Sequence, residues 1–214
     1  MRIYTTKSVT LDFISEKMID LFQKRFRFYK DLGDKIFSQL NEAQCFWKYN
    51  AESNSITTIV KHISGNMNSR WTNFLTEDGE KEWRNRDAEF ENDIHSKAEM
   101  LEVWEKGWTV LFKALDQINS ENMNQVILIR GEKFSVFDAL LRQLAHYSYH
   151  VGQIVYVAKM LKNGDWNTLS IARNKSSEYK LELLKKQTPE DIQKNSSPVC
   201  YAKSSEVRDE YKEE

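Results

Sequence analysis

Apolar residues fall on helical spacing in four long stretches of the chain. From about Val9 to Leu40, the positions Leu11, Ile14, Met18, Leu21, Phe22, Phe26, Tyr29, Leu32, Ile36 and Leu40 recur every three or four residues. That period predicts one apolar face of a helix with polar residues on the other. Gly33 interrupts the stripe at a cost of about 1 kcal/mol relative to Ala, so a bend or break is expected there. Residues 41–53 read as a connection. A second stripe, Ile56, Ile59, Val60, Ile63, Met67, Trp71 and Phe74, follows the capping candidates Ser53 and Asn54 and ends near Leu75, before the Asp78-Gly79 turn signal. Residues 76–95 are polar with embedded aromatics, among them Trp83 and Phe90, which predict that this long loop packs on something. Ser96 and Glu99 form a capping-box pattern ahead of a third stripe running from Met100 to Ile118. A β-branched run and a glycine turn predict a strand or hairpin near 125–134. Ser135 precedes the last long stripe, about Val136 to Lys162, which Asn163-Gly164 ends.

Four amphipathic segments that each need a buried face predict an all-α, four-helix bundle over residues 1–175. The middle links are long enough to be crossovers. Residues 176–214 read as a polar C-terminal extension, partly helical or disordered, with an amphipathic stretch from Glu178 to Lys186, a helical turn at Thr188-Pro189-Glu190 and a mobile tail beyond Asn195.

Composition sharpens this picture. The 214 residues hold only two prolines, Pro189 and Pro198, so the chain before residue 189 can be built from long helices. Eleven Phe, nine Tyr and six Trp exclude disorder for most of it. Thirty-one basic and 32 acidic residues give a net charge of -1, which excludes nucleic-acid binding by bulk electrostatics. No run approaches the roughly 18 apolar residues of a membrane span. Cys45 and Cys200 do not make a disulfide framework, and Met1–Lys7 lacks a signal-like apolar core, so a reduced cytoplasm is expected.

The four histidines carry the candidate chemistry. His146 and His150 are four apart in a predicted helix and so share one face. His62 lies beside the Ile59/Ile63 stripe, where a bundle can bring it opposite the pair. Three imidazoles with an open fourth position form the catalytic rather than the structural zinc pattern, and nickel, iron or manganese suit the same ligands. Spacing alone leaves a second reading open, in which these are hydrogen-bonded core histidines. His95, just before a helix cap, reads as a surface or capping residue. Asn66, one turn after His62, and Gln153, three after His150, are candidates to orient the site. Arg70 and Arg86 are candidates to hold an anionic substrate, with surface ion pairs as the competing reading. Tyr147 and Tyr149 could offer phenols, although Tyr147 lies on the apolar stripe. No carboxylate of the His-Glu-x-x-His kind sits between the paired histidines, so protease-type chemistry lacks its marker.

The segment His146-Tyr147-Ser148-Tyr149-His150-Val151-Gly152-Gln153 resembles the last-helix signature of the DinB/YfiT-like metalloenzyme superfamily. Ile59-Val60-Lys61-His62-Ile63-Ser64-Gly65-Asn66-Met67 with Arg70-Trp71 resembles its second-helix signature. Asp78-Gly79-Glu80 and Trp83-Arg84-Asn85-Arg86-Asp87 narrow the likeness to a DinB-related bacterial family of unknown function. The resemblance covers about residues 8–175. It implies a bundle with one long crossover, a homodimer, and one divalent metal on His62, His146 and His150, with zinc or nickel foremost. It also implies a small-molecule substrate and transferase or isomerase chemistry with a low-molecular-weight thiol as cofactor. A metal-dependent hydrolase and a non-catalytic metal- or ligand-binding stress protein are the alternatives.

Overall fold

The computed structural model describes residues 4–91 and 93–186. Among these the chain is mostly helical, with six α-helices and a two-stranded antiparallel sheet. It divides into two compact units, Met1–Leu169 and Ser170–Glu214. The first holds α1 (Tyr4–Phe37), α2 (Glu42–Phe46), α3 (Ile56–Trp71), α4 (Lys97–Leu115), β1 (Val126–Ile129), β2 (Glu132–Ser135) and α5 (Val136–Lys162); the second holds α6 (Ser176–Lys186). The expected turn at Thr188-Pro189-Glu190, the tail beyond Asn195 and Cys200 lie outside the described residues.

The long helices form where the apolar period placed them. α1 packs on α5 and α4, and α3 on α4 and α5, so each of the four touches two others. Phe26, Trp104, Trp108 and Tyr147 fill the space between them, with Trp104 and Trp108 in edge-to-face contact at 5.2 Å. Leu21, placed on the first apolar stripe, is exposed instead, as is Leu141 within the span of the last. α1 continues unbroken through Gly33. The glycine makes room for the Trp104 indole, which a Cβ there would overlap, and Trp104 Nε1 donates to Asp34 Oδ1 at 2.8 Å. Between α3 and α4 the approach is closer still. A Cβ on Gly107 would stand 2.8 Å from Ser64 Cα, and Ser64 Oγ donates to the Val103 carbonyl at 2.7 Å.

α3 departs from the simple amphipathic expectation, since thirteen of its sixteen residues are buried. Its cap is Ser55, whose Oγ accepts from Thr58 N, rather than Ser53 or Asn54. Its polar side is covered and its hydroxyls are satisfied there, as burial requires. Thr57 donates to the Cys45 carbonyl of α2 at 3.0 Å, and Ser69 donates to the Gly79 carbonyl at 2.9 Å. α2 lies in the stretch read as a connection. At five residues it is too short to show a period, and the reciprocal cap between Asn41 and Gln44 defines it.

The loop after α3 packs through its charged residues more than through its aromatics. Trp83 and Phe90 are 62% and 42% exposed, whereas Lys81 and Glu89 are buried. Lys61 of α3 donates to the Ala88 and Glu91 carbonyls and pairs with Asp93, fastening a 3-10 turn at Asp87–Phe90 onto the helix. The expected hairpin is present as β1 and β2, paired from Val126↔Ser135 to Ile129↔Glu132. Both turn residues, Arg130 and Gly131, have positive φ, as the favoured two-residue hairpin turn demands. Asp78 ties this turn to the loop: its carboxylate accepts from the backbone N–H of Arg130 at 2.8 Å, Gly131 at 2.7 Å and Glu80 at 2.7 Å.

Candidate metal centre

His62 faces inward from the middle of α3, and His146 and His150 project from adjacent turns of α5. The fold brings the three together, with ring centroids 4.6 Å apart for His146–His150, 4.9 Å for His62–His150 and 5.5 Å for His62–His146. One ligand nitrogen from each lies within 4.8 Å of the others, a set that could hold a metal ion. His95 is elsewhere and exposed, its N–H bonded to Glu99 Oε2 at the start of α4.

The partners behind the rings fix which nitrogen faces inward. His62 Nδ1 stands 2.8 Å from Glu89 Oε2, and His150 Nδ1 stands 2.8 Å from Gln153 Oε1. Both oxygens accept, so each Nδ1 carries a proton and Nε2 is the nitrogen left to face a metal. The Nε2 atoms of His146 and His150 are 3.0 Å apart. Burial, reinforced by His150, His62 and the nearby arginines, pushes the His146 pKa down to about 3, and burial lowers that of His150. Neutral imidazoles at ordinary pH are what a metal needs. Phe90 stacks over His62 at 5.4 Å.

Glu89 and Arg84 were not legible as site residues in the sequence. Arg84 grips Glu89 with two hydrogen bonds, Nε to Oε1 at 2.7 Å and Nη2 to Oε2 at 3.1 Å. The one sequence signal was Gly65. A Cβ there would overlap the Glu89 carboxylate, so the glycine admits this side chain to His62. Gly152, two residues after His150, has no such role: a Cβ there would meet nothing within 4 Å.

A cleft of about 150 Å³ opens beside His62 and His146. Asn66, Gln143 and the arginines Arg70, Arg84, Arg86, Arg130 and Arg142 complete its lining. The structure therefore brings Asn66, Arg70 and Arg86 to the cleft and Gln153 to His150. Asn66 Oδ1 accepts from the Tyr147 hydroxyl at 3.0 Å, and that hydroxyl accepts from Trp71 Nε1 at 3.1 Å. Burial pushes the Tyr147 pKa up, which keeps it a donor. Tyr149 is exposed, with its ring 5.0 Å from that of His150. Arg70 is no surface ion-pair residue. It is 3% exposed, its nearest carboxylate oxygen is on Glu80 at 3.8 Å, and its Nε and Nη1 have no partner.

No helix among the described residues is long and apolar enough to cross a membrane. No curated protein and no solved structure matches the chain. A family model does, and α3, α4, the hairpin, α5 and the histidine site all fall within its span. Matching residues 13–175, it is described as "Protein of unknown function (DUF1572)", and the chain belongs to that family.

Proposed function

We propose that the chain is a metal-dependent enzyme acting on small molecules, built as a four-helix bundle of the DinB/YfiT-like type. His62, His146 and His150 hold one divalent cation, zinc or nickel before iron or manganese, next to a cleft that admits the substrate. The observation that carries this reading is the pair of oxygens behind the rings. Glu89 and Gln153 each take an Nδ1 proton and so turn Nε2 toward a common point. A hydrogen-bonded core histidine accounts for one such oxygen, but not for three rings whose remaining nitrogens gather within 4.8 Å of one another.

A divalent cation there supplies Lewis acidity and lowers the pKa of a bound nucleophile. The protein's own side chains suit a thiol better than water. The carboxylates paired with the arginines of the cleft, Glu89 and Glu80, are held by those ion pairs, so neither serves as a general base. A thiol, already acidic, needs little help. The cleft then orients the electrophile.

Elemental analysis of the full chain after native purification is expected to give one equivalent of metal, lost in His146→Ala. Less than a tenth of an equivalent, with no uptake of added zinc or nickel, would overturn the metal site. Metal-dependent conjugation of monochlorobimane to a low-molecular-weight thiol tests the reaction. Metal without turnover on any thiol would instead favour a non-catalytic metal-binding role.

A further inference from the structure

The cleft has two chemically distinct ends, and the helices carry both at a spacing of four. On α3, His62, Asn66 and Arg70 follow one another; on α5, His150, His146 and Arg142 run the opposite way along the chain. Residues four apart share a helix face and are separated by a rise of about 6 Å. The imidazoles thus stand at one end and the guanidiniums about 6–12 Å away at the other.

The guanidinium end is short of negative charge. Five arginines line the cleft against three carboxylates: Glu80, shared among Arg70, Arg84 and Arg130, Glu89, held by Arg84 and His62, and Asp78, which the backbone N–H groups of the hairpin turn hold within electrostatic reach of Arg70. Arg86 and Arg142 have no acidic partner among the described residues; Arg142 lies over the Phe134 ring at 5.2 Å. Arg70 is the decisive group, since a buried guanidinium with two nitrogens unpaired carries a large penalty unless something else accepts from them. Gln143 Oε1, lining the same cleft from α5, is buried without a partner as well.

We infer that this end of the cleft binds a doubly charged anionic group, a phosphate monoester or two carboxylates on one small molecule, through Arg70, Arg142 and Arg86. Guanidinium forks match both kinds of oxyanion. Gln143 accepts from a hydroxyl or amine nearer the imidazoles. Which end of the ligand reacts rests on the metal reading above; anion capture does not.

Calorimetric titration of the full chain at about 0.15 M ionic strength, where surface charge is screened, tests this with inorganic phosphate, succinate and acetate. One site per chain is expected, at least tenfold tighter for phosphate or succinate than for acetate. Arg86→Ala with Arg142→Ala, both at exposed positions, is expected to weaken it at least tenfold, and Arg70→Lys to weaken it while keeping the charge. Preference for phosphate assigns a phosphate monoester, and preference for succinate a dicarboxylate. Neither dianion binding more tightly than acetate, or arginine variants binding like the native chain, would overturn the inference. Zinc uptake and dianion titration, both on the native chain, separate the two readings. Phosphate binding without zinc uptake removes the metal site alone, and zinc uptake without dianion binding removes this inference alone.

Discussion

Glu89 stands where three donors meet: His62 Nδ1, Arg84 Nε and Arg84 Nη2. Burial by itself would raise its pKa, but the hydrogen bonds from His62 and Arg84 outweigh burial and hold the carboxyl below its usual range. An ionised carboxylate behind an imidazole raises the basicity of the far nitrogen. Glu89→Gln keeps the volume and removes the charge. Zinc affinity, read by competition with a chromogenic chelator, is expected to fall about 10–100-fold. Unchanged affinity would mean that Glu89 only positions the loop. The three histidines were legible because helical spacing put two on one face and the third on a core stripe. Gln153 was legible for the same reason. Glu89 was not, since it lies 27 residues from His62 on a loop without periodicity, and only the tertiary fold joins them. Arg70 was legible as an anion-binding candidate, but its burial was not, because nothing local shows that α3 is covered on its polar side.

Among the elements, the long helices and the hairpin were readable because a period of 3.6 or a two-residue turn is a local property. α2 and the 3-10 turn were not, being shorter than one period. The elements meet at Asp78, which joins the loop after α3 to the β1–β2 turn. Burial opposes its charge, but three backbone N–H donors hold the pKa below the ordinary carboxylate value. A depressed folded pKa contributes stability that is present above about pH 4 and is lost as pH falls through the folded value. Asp78→Asn loses at least the bond to Gly131 N, so a destabilisation of about 1 kcal/mol is expected at pH 7. The difference should shrink toward pH 3 as the native carboxyl is protonated. Urea unfolding at both pH values measures it. A gap that widens in acid would show that the charge of Asp78 is not what holds the turn.

For the molecule as a whole, sequence patterning shows which faces need cover but not which helix covers which. That order depends on shape, and the buried aromatics and small residues decide it. Among the described residues, every buried residue of the hydrophobic core lies between Ile19 and Ala158, inside the first compact unit. A chain ending at Lys175 is therefore expected to fold with a Tm within about 3 °C of the full chain, a shift well under 1 kcal/mol for a unit of this size. A drop beyond about 8 °C would show that the extension supports the fold. One contact reaches further than its size suggests. Gly107 lets the α4 backbone rest against Ser64, two residues beyond His62. Such an abutment works like a stop on a shaft, because α3 can neither slide along nor roll against α4 without driving atoms together. The helix that supplies no candidate ligand thus sets the height at which His62 meets α5.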